Sequence, residues 1–196
     1  MKHTIQTLAV TTLLAVSSLS LSSCANGPLT QANAANSSKA QIASSSRAAL
    51  HQLYAANPKA RWLGSQAKAV LVFPSIVKGG FMVGAMGGNG SLVWRNGAIR
   101  DFYQTVGLSY GLQAGVQTYG YALFLMDDSA LRSLNSSQGW EVGSSPSLVI
   151  LDQGMAASLS TNTIQKSIYA IFFNQQGLMG GLGLQGSKIT RIYPAP

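Results

Sequence analysis

Acidic side chains are scarce in this sequence. Its 196 residues include five, Asp101, Asp127, Asp128, Glu141 and Asp152, against 13 Lys and Arg, for a formal net charge of +8. Charged residues make up 9% of the chain, against roughly 25% in an ordinary soluble domain. That shortage excludes a coiled coil, a salt-bridge-laced helical bundle and an acidic tail. Histidine occurs twice and cysteine once. The lone Cys24 excludes an internal disulfide, and no His and Cys set exists to share a zinc ion. Too few carboxylates remain for a calcium site or a two-carboxylate pair. General acid–base catalysis needs a tunable group, and the supply is nearly empty.

Apolar residues and glycine are plentiful. The hydrophobic share is 46%, enough for a core, and 20 of the 21 glycines lie between Gly64 and Gly186. Such density with bulky apolar residues between argues for strands and turns rather than long helices.

The amino-terminal residues read as an address. Residues 1–23 form a secretory signal, with Lys2 and His3 ahead of the apolar stretch Leu8–Leu21. That stretch is too short and too polar to span a bilayer. Leu21-Ser22-Ser23-Cys24 resembles a bacterial lipobox, in which the cysteine is acylated and becomes the new amino terminus. Cleavage there leaves 12 basic and 5 acidic side chains, a net of +7. Ala25 follows Cys24. An Asp at that place retains Gram-negative lipoproteins at the inner membrane, so its absence suggests the outer membrane by resemblance. Residues 24–38 then form the lipidated cysteine and a flexible tether rich in Ala, Asn, Ser and Gln. A coil of that length averages roughly 20 Å, which keeps the folded part, residues 39–196, beside its own bilayer.

Ser38–Ala56 has helical spacing, with Ile42, Ser46, Ala49, Leu50 and Leu53 on one face. Asn57 caps a second helix, with Pro58 at its first position, running to about Ala67 and burying Trp62 and Leu63. From Ala69 the pattern predicts strands. The first ends at Pro74, the second is Phe81–Met86 and the third Ser91–Arg95, with turns at Gly79-Gly80 and Gly87–Gly90. Asn96-Gly97 predicts a type I′ hairpin turn to Ala98–Tyr103. Thr105–Thr118 alternates, and its apolar set, including Leu108 and Val116, belongs in a core. The Gly- and Gln-rich set on its other side lets another backbone approach or the strand bend. Asp127 or Asp128 caps a short helix. Leu148–Leu151, Ser167–Phe173, Leu178–Gln185 and Lys188–Tyr193 are further strands, with a turn at Asn174–Gly177. The fold class is α+β: N-terminal helices, then a mostly antiparallel, strongly bent sheet, sandwich- or barrel-like.

Two motifs suggest catalysis and fail on context. Gly107-Leu108-Ser109-Tyr110-Gly111 matches G-x-S-x-G, but that motif needs a strand-to-helix turn and a later His. Here it lies inside an alternating strand, and His51 precedes it. The glycines before Gly90 lack the G-K-[ST] ending of a phosphate loop. The basic excess is the remaining lead. Lys59, Arg61, Lys68, Lys78, Arg95 and Arg100 fall within about forty residues, opposed nearby only by Asp101. Each basic side chain near an anionic bilayer gains about 1 kcal/mol. Nucleic acid is the other partner of basic patches, but an exported, lipidated protein is not expected to meet it.

Phe73-Pro74-Ser75-Ile76-Val77-Lys78-Gly79-Gly80-Phe81 closely resembles the F-P-x-x-x-K-G-G-F signature of the SYLF domain family. Gly111-Leu112-Gln113-Ala114-Gly115 is similar to its G-x-Q-x-G strand, and Gly177–Gly186 to its C-terminal G-L-x-x-G-x-x-L-E-G segment, with Gln185 in place of Glu. The loop after the second strand, where the family often has a basic residue, reads Met86-Gly87-Gly88-Asn89-Gly90. The likeness covers about residues 40–193. It implies lipid binding without catalysis and without a cofactor, with Lys78 as the basic residue inside the signature. The family includes yeast actin-patch proteins, but a periplasmic member is not expected to meet actin. The sequence therefore points to a non-enzymatic lipoprotein, anchored through Cys24 at the periplasmic face of the outer membrane. Lys78, Lys68, Arg95 and Arg100 are its candidate contacts to anionic phospholipid headgroups. The alternative partner is another cell-envelope protein, bound in a structural or adaptor role.

Overall fold

The structure, a computed structural model, describes residues 37–135, 140–141, 148–151, 166–177 and 187–196, leaving aside the side chains of residues 81–83 and 109–114. The signal, Cys24, most of the tether and the expected strand Leu178–Gln185 lie outside these residues. Helix α1 spans Lys39–Ala56 and buries Ile42, Ser46, Ala49, Leu50 and Leu53, the face its periodicity predicts. Ser38 caps it by accepting from the Gln41 N–H at 3.2 Å. Asn57 closes α1, its N–H donating to the Leu53 carbonyl, and opens α2 (Pro58–Gln66) by accepting from the Ala60 N–H at 3.0 Å. Leu63 and Ala60 are buried in α2. Trp62, expected beside Leu63, is only half-buried, with the Lys59 ammonium 4.7 Å from its ring centre.

The glycines after Ala69 do not break the chain into three strands. β1 runs unbroken through Ala69–Trp94, and β2 through Ile99–Leu125. The two pair antiparallel along their length, with irregularities between Phe73 and Ile76, Phe81 and Val83, and Leu92 and Val93. Pro74 sits in the first of these, where the ladder needs no N–H from it. On its other side β2 pairs with β6 (Ser187–Ile192) near its start and with β5 (Ile168–Gly177) near its end. β3 (Trp140–Glu141) flanks β6, and β4 (Leu148–Leu151) runs parallel to β5. Among the described residues this makes one six-stranded mixed sheet. The turn expected at Asn174–Gly177 is instead an irregular end of β5, where Asn174 has φ 51° and the register with β2 shifts.

The long β1–β2 ribbon folds over on itself. Straight, Ser75 and Gly88 would stand about 43 Å apart at 3.3 Å per residue. Instead a methyl group on Gly88 would lie 2.4 Å from the Ser75 carbonyl oxygen, and one on Gly90 2.2 Å from that of Val72. The two halves of β1 therefore cross in backbone contact, and glycine is there for close approach rather than for turning. The crossing encloses an inner core of Leu71, Phe73, Ile76, Leu92, Tyr103, Tyr121 and Leu123. Alternate residues, Val70, Val72, Val93, Ala122 and Phe124, face outward under α1 and α2.

The bend also corrects the facing of β2. Leu108 and Val116, expected in a core, are 57% and 62% exposed, while Thr105 and Gln117 are buried. Gly107 explains the inversion, because a methyl there would stand 3.0 Å from Met86 Cγ and 3.2 Å from Ser187 Cα. The thin set of residues is the one turned toward neighbouring backbone.

Helix α3 (Asp128–Leu134) follows β2, and Asp127 is its cap, accepting from the Ala130 N–H at 2.9 Å. Partial burial raises the pKa of Asp127, but hydrogen bonds from the Ser129 and Ser167 hydroxyls and from the Ala130 and Ser129 N–H groups outweigh it and pull the carboxyl down to about 2. Asp127→Ala is expected to cost about 1 kcal/mol at neutral pH. A depressed folded-state pKa contributes stability above the unfolded value. The difference between wild type and variant in urea melts therefore shrinks as pH falls from about 4 to about 2.

Candidate functional site

The tip joining β1 to β2 builds the site. Trp94 N–H donates to the Ala98 carbonyl at 2.9 Å, and Gly97 N–H to that of Trp94 at 2.8 Å. Gly97 has φ 78°, whereas Asn96 is not in the positive-φ region. The connection is thus a three-residue loop with glycine in the left-handed position, not the two-residue type I′ turn that Asn-Gly suggests. The extra residue is Arg95, which the loop turns back onto α2.

Arg95 closes the carboxyl end of α2. Its Nη2 donates to the Gln66 carbonyl at 2.8 Å and its Nε to that of Ala67 at 3.1 Å. A cation there satisfies carbonyls the helix leaves open and opposes its dipole. Arg95→Ala is expected to lower stability by about 1–2 kcal/mol in thermal or urea unfolding. The Arg95 N–H also donates to the Lys68 carbonyl at 3.2 Å, pinning the loop beside the start of β1. Lys68 Nζ lies 2.6 Å from Asp128 Oδ2.

β2 and β6 supply the opposite wall. Arg100 and Asp101 begin β2, and the β2–β6 register sets Arg191 across from Tyr103. Arg191 forms an ion pair and hydrogen bond with Asp101. The result is an open cavity of about 780 Å³ lined in part by Lys68, Trp94, Arg95, Arg100, Asp101 and Arg191. Four cations meet one carboxylate in the lining, and Asp128 reaches Lys68, which leaves a surplus of two positive charges. Arg95 and Arg191 already hold the α2 carbonyls and Asp101 and lend the groove their charge, while Arg100 brings a planar N–H fork of the kind that suits bidentate contact to phosphate or carboxylate oxygens. Among the described residues, Trp94 Nε1 is buried without a hydrogen-bond partner, so an acceptor reaching it would satisfy it.

Of the four expected headgroup residues, Lys68, Arg95 and Arg100 come together here. Lys78 does not join them. It stands opposite Gln117 in the β1–β2 register, and both are buried, at 6% exposure each. The physical reason is the fold of the ribbon, which turns this stretch of β1 inward on the side of Ile76. Arg191 was not among the sequence candidates. It is far along the chain from Arg100, and only β2–β6 pairing brings them together. Nothing in its local sequence marks it.

The remaining candidates lie elsewhere. Cys24 is outside the described residues. His51 is exposed on α1. Gly107–Gly111 runs inside β2, not through a strand-to-helix turn. No group of three or more His, Cys, Asp or Glu comes together among the described residues.

Fold and groove together define an α+β domain whose crossed β-ribbon carries a basic groove at its hairpin end. Residues 106–193, under half of the chain, match the family model Ysc84, described as Las17-binding protein actin regulator, the model of the SYLF family that the sequence resembles. The SYLF family is associated with lipid binding. The matched stretch takes in most of β2, β5, β6 and Arg191, and begins after Arg100. A search of curated proteins finds no match.

Proposed function

We propose that this protein is a non-enzymatic lipoprotein, held by acylated Cys24 at the periplasmic face of the outer membrane, whose domain binds anionic phospholipid headgroups in the basic groove. The observation that carries this reading is the convergence of Lys68, Arg95 and Arg100 with Arg191 on one cavity. The lipid association of the SYLF family supports it. The family description names an actin regulator. In this reading the domain faces the periplasm, and actin is not its partner. The test is co-sedimentation of residues 25–196, which lack the acylation site, with neutral and anionic vesicles. Binding to anionic vesicles at low salt and release at high salt is the expected result, since exposed charges are screened within about 8 Å at physiological ionic strength. Absence of binding to either vesicle overturns the reading.

A second reading has one observation in its favour. Leu108 and Val116 stand in solvent on either side of the ribbon's bend. An adaptor that binds another envelope protein would use such residues. A partner that survives high salt and is lost in Leu108→Asp supports that role.

A further inference from the structure

The tether enters the fold beside the groove. Lys39 N–H, at the first residue of α1, donates to the Ala195 carbonyl at 2.9 Å. Ile42 packs with Phe102 and Ile192, so the start of α1 is fastened to the strand ends that carry Asp101 and Arg191. Ala195 is four residues beyond Arg191, at most about 14 Å along an extended chain. Between them stands Tyr193, 83% exposed, its ring 5.6 Å from the Arg191 guanidinium carbon. An exposed tyrosine is an amphipathic ring of the kind that settles at headgroup level, and this one lies beneath a guanidinium that lines the groove. A continuous strip thus runs from the groove through Arg191 and Tyr193 to Lys39 and the tether. The other exposed apolar residues of the ribbon lie away from it. Leu108 is six residues along β2 from Phe102, about 20 Å.

We propose that the domain docks end-on, with Tyr193 and the rim of the basic groove against the anionic bilayer that holds its own anchor. The chain that leads from Cys24 enters the fold at Lys39, so this end is the one nearest the anchor. The inference rests on the headgroup reading above and adds the docking face to it.

Residues 25–196 keep every core residue, from Ile42 to Ile192, and contain no cysteine. Single cysteines can therefore be placed by Tyr193→Cys, Leu108→Cys and Ile150→Cys and labelled with a polarity-sensitive nitrobenzoxadiazole dye. Each site is exposed, and Pro196→Cys replaces the first should Tyr193→Cys fold poorly. The vesicles contain phosphatidylglycerol and phosphatidylcholine. The expected result is a blue shift at position 193 or 196 and none at 108 or 150. A shift at 108 or 150 without one at 193 or 196, in protein that still co-sediments, overturns the docking face and leaves the headgroup reading standing. Failure of the unlabelled chain to co-sediment overturns both.

Discussion

Gly90→Ala is expected to destabilise the domain by about 3 kcal/mol or more, whereas Gly79→Ala in the same strand changes stability by less than about 1 kcal/mol. The difference lies in what each added methyl group meets. At Gly90 it meets the Val72 carbonyl oxygen at 2.2 Å and Phe73 Cδ1 at 2.8 Å. The oxygen belongs to backbone and cannot rotate away, and Phe73 is fully buried against Tyr121, ring centres 4.8 Å apart. Relief requires the two halves of β1 to separate, which loosens both the inner core and the seat of α1. At Gly79 the nearest atoms are Val116 Cγ2 at 3.6 Å and the Gly115 carbonyl oxygen at 3.8 Å, ordinary contact distances. There the lost freedom of the unfolded chain offsets any strain. Gly88→Ala repeats the Gly90 clash, at 2.4 Å from the Ser75 carbonyl oxygen. A double variant at 88 and 90 then approaches the whole stability of a domain, about 5–15 kcal/mol. Urea midpoints followed by circular dichroism decide the matter. Equal midpoints for Gly79→Ala and Gly90→Ala would mean that the halves of β1 do not cross.

The same glycines show what the sequence could and could not convey. A helix is specified by neighbours. Ile42 to Leu53 recur at helical spacing, Asn57 offers a capping oxygen and Pro58 a missing donor, so both helices could be read within a residue or two. A glycine that turns the chain and one that lets a distant carbonyl approach look alike in the sequence. The atom that needs the room near Gly90 lies on Val72, 18 residues earlier. Two expected turns are therefore strand interior, and Leu108 and Val116 face solvent rather than a core. The groove divides in the same way. Lys68, Arg95 and Arg100 could be read as a run of charge with little opposition. Arg191 could not, because strand pairing across the sheet places it. Signature and charge both recommend Lys78, while its burial away from the groove depends on the bend and has no local sign.

Lys68→Glu combined with Arg100→Glu is expected to weaken binding to anionic vesicles by about 10²–10³-fold. One basic residue near an anionic surface contributes about 1 kcal/mol, and reversing its sign adds repulsion of similar size, giving about 4 kcal/mol for two. At 1.4 kcal/mol per tenfold, that is the upper end of the range. The lower end follows from Lys68, whose pairing with Asp128 already offsets part of its charge. These two residues are the better choice because Arg100 lies exposed near the start of β2 and Lys68 is held only by an exposed ion pair with Asp128, of a kind worth about 1 kcal/mol or less. Arg95 closes α2 and Arg191 holds Asp101, so reversing either would confuse binding with unfolding. Lys68 and Arg100 are both exposed, and their replacement should cost about 1 kcal/mol or less in stability, most of it from the lost Lys68–Asp128 pair. Two controls separate the groove from net charge. Lys59→Glu and Arg61→Glu make the same change in total charge on α2, outside the groove lining, and should weaken binding by less than about tenfold at physiological salt. Lys78→Met removes a buried cation and should shift the unfolding midpoint, while the folded fraction still binds vesicles. Equal losses from the α2 pair and the groove pair would show that overall charge, and not this cavity, brings the domain to the lipid.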